Sequence, residues 1–180
     1  KATVEFIVTA PEHYQVVGNG EKTQEYPNGI GFKTTHWKEK VPLPSKVMVI
    51  GVAKFAVEHS GLVQGTPSSV YVFPQNRTEG FSDFKPSLLV LDWFSRNIGP
   101  FPFSKLAHVQ SKTRWGGMEN AGAIFYFENS VNGKNERESL IAHETAHQWF
   151  GQHLLLESPI GSCHSMYSLR TLKSCDEIAQ

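Results

Sequence analysis

The stretch ESLIAHETAHQWFG, residues 138–151, sets His143, Glu144 and His147 in the order HExxH. Asn135 followed by Glu138 reads as a capping box, which starts a helix just before Glu136 and carries it through HETAHQWF. Histidines four apart on a helix project from one face, so His143 and His147 reach a single metal ion. Glu144 lies about 100° round from His143 and faces bound water. These are the parts of a metal-assisted hydrolase: zinc polarises a carbonyl and lowers the pKa of its water to ~7, and Glu144 moves the proton to the leaving amine. Chance would place HExxH somewhere in a chain of this composition with a probability of roughly 0.03. His13, His36, His59 and His108 carry no comparable partner pattern and read as ordinary surface or strand residues.

Upstream of this helix the chain is first β-rich and then mixed. TVEFIV alternates, GNG (18–20) and PNG (27–29) mark turns, GFKTTHW alternates again, and KVMVIGVAKFAV is a mostly apolar run. PNG between two such runs predicts a hairpin. VPLPS, residues 41–45, reads as a loop because its prolines cannot donate to a central ladder. SSVYVFP supplies a further strand. The pattern then changes near residue 80: in SDFKPSLLVLDWFSRNIGP, Phe84, Leu88, Leu91 and Phe94 recur at helical spacing before the Gly99-Pro100 stop. KLAHVQ and AIFYFENSV read as strands joined by RWGGMENAG, and Asn132-Gly133 turns the chain toward the HExxH helix.

The bulk properties narrow the partners. The chain has 180 residues, 39% of them hydrophobic, with 17 basic against 17 acidic side chains. A net charge of zero supplies no general attraction to nucleic acid or anionic membrane. There is no apolar run of about 18 residues to serve as a transmembrane segment, and the N-terminus alternates like a strand where a signal peptide would be uniformly apolar. Because the sequence begins at Lys1, localisation stays open. Cys163 and Cys175 match no metal-binding spacing and read as solvent-facing thiols.

HETAHQWFG (143–151) together with GGMEN (116–120) resembles the aminopeptidase N family of zinc exopeptidases, gluzincins that also include leukotriene A4 hydrolase. The likeness covers residues 1 to about 151. It implies an α+β fold. Residues 1–78 look like the later part of the family's N-terminal saddle domain, and residues 79–151 resemble the opening of its thermolysin-like catalytic domain. Residues 152–180 diverge from the family. By the same resemblance the cofactor is zinc, held by His143 and His147, and Glu144 is the catalytic base. Glu119 binds the free amino group of a peptide substrate, and Gly116, Gly117 and Met118 run beside that substrate as an edge strand. Asn120 matches the last motif residue, with substrate contact and a turn role both open. Trp149 and Phe150 read as core behind the metal helix.

The position that the family gives to its third zinc ligand, a glutamate, is Met166 here, and the family's oxyanion-stabilising tyrosine has no counterpart. On a continuing helix His153 falls about 240° away from His147 and reaches the site only after a break at Gly151, and Glu157 lies about 15 Å further along the axis, beyond a shared metal. Two functions follow from these patterns. One is an aminopeptidase that uses metal-activated water. The other is an inactive fragment that binds peptide N-termini beside a weak metal site.

Overall fold

The computed structural model describes residues 1–114 and 116–153. The expectations for Glu157, Cys163, Met166 and Cys175 lie outside the described residues. The chain is a mixed α+β protein, mostly sheet. Its first half contains β1 (Ala2–Pro11), β2 (Gln15–Gly18), β3 (Glu21–Pro27), β4 (Phe32–Leu43), β5 (Ile50–Ala53), β6 (Ala56–Val63) and β7 (Thr66–Val72). There follow α1 (Arg77–Asp83), α2 (Pro86–Asn97), β8 (Leu106–Ser111), β9 (Gly117–Met118), β10 (Ala123–Phe127) and α3 (Glu138–His147).

These strands form three sheets, ordered β1-β4-β3, β2-β5 and β6-β7-β8-β10-β9. The predicted PNG hairpin is the antiparallel β3-β4 pair. VPLPS is only partly a loop, since β4 continues through Pro42 to Leu43, opposite Ala2. The pairing of β3 with β4 ends at Lys38, so beyond it β4 has a single neighbour, and a residue without an N–H loses no ladder bond on the open side. The apolar run at 46–57 divides between a short 3-10 turn, β5 and the start of β6, and the two strands join different sheets. β6 and β7 meet at a two-residue turn, Gln64-Gly65, with positive φ at both positions.

The five-stranded sheet is covered on both faces, and strand alternation decides which side chain goes where. Val70, Val72, Leu106, Ile124 and Tyr126 meet Phe84, Val90, Leu91 and Phe94 of the helical layer, together with Ile141, Ala146 and Trp149. Tyr71, Ala107, Val109, Ala123 and Phe125 point the other way, to Val17 of β2. The apolar face of α2 runs through Val90, Leu91 and Phe94, with Leu88 only half-buried, and Phe84 packs beside it from the end of α1. Trp149 is core as expected, stacked on Phe94 and donating from Nε1 to the carbonyls of Gly99 and Pro100 at 3.0 and 3.2 Å. Phe150 packs against the same cluster.

β7 pairs in parallel with β8, from Ser68 opposite Leu106 to Tyr71 opposite Val109. The sheet is therefore continuous across residue 78, and the change of pattern near residue 80 marks where helices begin. Among the described residues no helix is long and apolar enough to cross a membrane.

Candidate active site

α3 carries the HExxH residues, and a tertiary contact sets where it starts. The expected Asn135/Glu138 capping box does not form: the helix begins at Glu138, and Arg137 ahead of it makes no side-chain cap bond. Asn135 instead adopts a left-handed backbone with φ of 56° and donates its N–H to Asp83 Oδ1 at 2.9 Å. The other oxygen of Asp83, Oδ2, accepts the N–H groups of Asn132 and Gly133, both at 2.8 Å. One buried carboxylate from the end of α1 thus holds the loop leading into α3. α3 ends at His147, and a π-helical turn follows over Gln148–His153, where an unbroken α-helix is expected through Phe150.

The i, i+4 spacing has its predicted result. Nε2 of His143 and Nε2 of His147 lie 3.2 Å apart, with the rings edge to face at 4.8 Å. His143 is exposed and His147 is buried. Among the described residues, Nδ1 of His147 is buried with no hydrogen-bond partner. Burial holds the His147 imidazole below its ordinary pKa; the charge of Glu119 opposes this, while His143 and Lys46 add to it. A neutral ring with a free lone pair is the form that binds a metal.

These two donors fit zinc. Two nitrogens at the usual Zn–N distance from a tetrahedral ion are about 3.3 Å apart, close to the separation seen here. Among the described residues no set of three or more His, Cys, Asp or Glu side chains gathers into a metal cluster.

Glu144 is buried beside this pair, and its carboxyl is pushed up to about 7 by burial and by the neighbouring charge of Glu119. Its carboxylate lies against the backbone of Gly117, where a Cβ would overlap it. Gly117 and Met118 form β9, the edge strand, paired antiparallel with Tyr126 and Phe125. GGMEN and HExxH, separated by more than twenty residues in the chain, therefore meet where α3 crosses the sheet edge. Gly116 is exposed at the entry to β9, and its carbonyl accepts the Phe127 N–H at 3.1 Å. Glu119 is half-buried and close enough to act electrostatically on both Glu144 and His147. Asn120 turns inward: its backbone N–H and its Nδ2 both donate to the Met118 carbonyl, at 2.9 and 3.3 Å, which is a turn role.

Four residues at or near this site carry no motif of their own. Asp83, Asn19, Lys105 and Gln148 are all buried and polar, and each bonds to backbone near one of the two motifs. Only Gln148 has a sequence signal, its place directly after His147.

Residues 87–158 match the Peptidase family M1 domain. Aminopeptidase N of Acetobacter pasteurianus is 28% identical over 163 residues, covering 84% of this chain and 46% of the relative. Glutamyl aminopeptidase of Bitis rhinoceros is 28% identical over 166 residues, covering 84% of this chain and 17% of the relative. For aminopeptidase N of Streptomyces lividans the identity is 28% over 171 residues, with 87% and 19% covered. The chain spans less than half the length of each of these relatives. With HExxH on α3, GGMEN on the adjoining sheet edge and the domain match across both, this chain is similar to the aminopeptidase N family, peptidase family M1.

Proposed function

We propose that the chain carries the zinc-binding and amine-recognition elements of an aminopeptidase, which hydrolyses the N-terminal bond of peptides. The observation that carries this reading is the convergence of the His143 and His147 nitrogens beside a buried Glu144 and the edge strand β9. His143 and His147 hold the ion. Zinc bound there supplies Lewis-acid polarisation of the scissile carbonyl. The ionised Glu144 takes a proton from the attacking water as the water oxygen bonds to the carbonyl carbon. It then gives that proton to the nitrogen as the C–N bond breaks.

Glu119 receives the substrate ammonium as a charge-assisted pair, so that only the first peptide bond comes into register with the histidines. The open edge of β9, with two glycines ahead of Met118, suits an extended peptide laid alongside as an added strand. On this reading the thermolysin-like part begins with β6, because β6 and β7 share its sheet, and β1 to β5 correspond to part of a saddle domain.

A second reading, a chain that binds peptide N-termini without turnover, is favoured by one observation: Met166 stands where the family's third ligand is a glutamate. Zinc calorimetry on the chain and on His147→Ala, followed by release of a chromogenic amino acid amide, tests the two together. The proposal expects zinc binding that depends on His147 and hydrolysis that is lost in Glu144→Gln while zinc is retained. Hydrolysis that survives Glu144→Gln overturns it. Zinc binding and amine recognition with no hydrolysis by the unsubstituted chain establishes the second reading.

A further inference from the structure

Asn120, Ala121 and Gly122 follow Glu119 directly, and their backbone is gripped by three buried side chains from three distant parts of the chain. Gln148, one residue past His147, donates from Nε2 to the Asn120 carbonyl at 3.4 Å and accepts the Gly122 N–H at Oε1 at 2.8 Å. Asn19, from the turn after β2, donates from Nδ2 to the Ala121 carbonyl at 2.7 Å. Lys105, from the start of the β8 segment, donates from Nζ to the Gly122 carbonyl at 2.7 Å.

Each of the three is itself held in place. Gln148 continues the polypeptide of α3. Asn19 also donates to the Val47 carbonyl at 3.0 Å and accepts the Val49 N–H at 2.7 Å. Lys105 also donates to the Gly18 carbonyl at 2.7 Å.

We propose that Gln148, supported by Asn19 and Lys105, is a positioning residue that fixes the distance between Glu119 and the His143/His147 pair, and so sets which residue of a bound peptide reaches the histidines. The proposal rests on the function above and deepens it.

On its N-terminal side Glu119 is tied to the sheet, because Met118 pairs with Phe125. On its C-terminal side the turn is held by backbone bonds, Ala107 N–H to the Gly122 carbonyl at 3.0 Å and Ala121 N–H to the Val47 carbonyl at 3.2 Å, together with the three side chains. The path from Glu119 to His147 then runs through one residue on each side of the Gln148 amide. Buried backbone groups need partners whatever their location, and other backbone or water meets that need equally well. Here a single amide spans both flanks of the turn and directly follows the helix that carries the histidines, so it ties the turn to the histidine pair.

The test is Gln148→Met, which keeps the length of the side chain and removes both bonds. Calorimetry with zinc and with a tripeptide, in free and N-acetylated forms, separates the roles. The unsubstituted chain is expected to prefer the free amine. In Gln148→Met that preference falls about tenfold, the equivalent of two ordinary hydrogen bonds, with zinc affinity unchanged and faster hydrogen exchange at the Gly122 amide. Lys105→Met reads the same spacing from the other side of the turn, away from the metal helix, and is expected to lower the preference in the same direction. An unsubstituted chain with no preference for the free amine overturns both this inference and the function it rests on. A preference that persists in Gln148→Met and in Lys105→Met overturns the inference alone.

Discussion

Lys105→Met offers a sharp test of the electrostatics that join the two halves of the chain. Lys105 is buried, with its Nζ on the carbonyls of Gly18 and Gly122 and 5.3 Å from the centre of the Trp37 ring. Burial lowers its pKa from 10.5 to about 7, against the opposing charge of Glu39. The folded pKa lies below the unfolded one. Below about pH 7 both states therefore carry the proton, and the full cost of the buried charge stands. Between about 7 and 10.5 the unfolded chain binds a proton that the folded chain has released, so stability rises with pH across that window. One proton gives a slope approaching 1.4 kcal/mol per pH unit, or about 3 kcal/mol between pH 7.5 and 9.5. Lys105→Met removes this contribution. Urea unfolding at pH 7.5, 8.5 and 9.5, followed by tryptophan fluorescence, yields the difference in stability between the two proteins. That difference should grow in favour of the unsubstituted protein by about 3 kcal/mol over the range, whatever the offset at pH 7.5. A difference that stays flat with pH refutes the argument and means the lysine retains its proton when buried.

Asp83→Asn weakens the carboxylate that gathers the N–H groups of Asn132, Gly133 and Asn135; unfolding stability should fall by about 2 kcal/mol, with faster hydrogen exchange at those three amides. Gly80→Ala puts a Cβ 2.6 Å from Cγ1 of the buried Val72 and should destabilise by about 1–3 kcal/mol, with part of the loss recovered when Val72→Ala is added, as urea titration will show. Gly117→Val displaces the Glu144 carboxylate from its seat on β9; hydrolysis is expected to drop about a hundredfold while calorimetric zinc affinity is unchanged.

What the sequence made legible was local, and what it concealed was long-range. His143 and His147 converge because four residues of helix are enough to make them do so, and no distant part of the chain is consulted. The PNG hairpin and the alternating faces of β8 and β10 are readable for the same reason. Asn135 and Glu138 have the form of a capping box, yet Asp83, 52 residues earlier, takes the Asn135 N–H and moves the helix start to Glu138. The apolar run at 46–57 reads as one element because hydropathy records burial without saying which sheet does the burying. Gln148 and Asn19 look like surface residues from their type alone. Their burial follows from the turn after Glu119, whose backbone groups need partners and find them only once sheet and helix are assembled. GGMEN became informative only beside HExxH, and the structure shows a physical link between the two: Glu144 rests on the space that Gly117 leaves.

The continuity of the five-stranded sheet has a practical consequence for anyone trimming this protein. A shortened chain starting at residue 79 would begin at the point where composition shifts, and it would lose β7. The inner strand β8, whose Leu106, Ala107, His108 and Val109 are all inaccessible to solvent, would become an unpaired edge. Exposed apolar edges of that kind recruit strands from other molecules. Retaining Ala56 onward keeps the β6-β7 hairpin in place, with β6 as the outer strand of the sheet. A cut near residue 55 keeps that edge paired, yet it removes Val17, which covers the other face of the sheet, and Asn19, which holds the turn after Glu119.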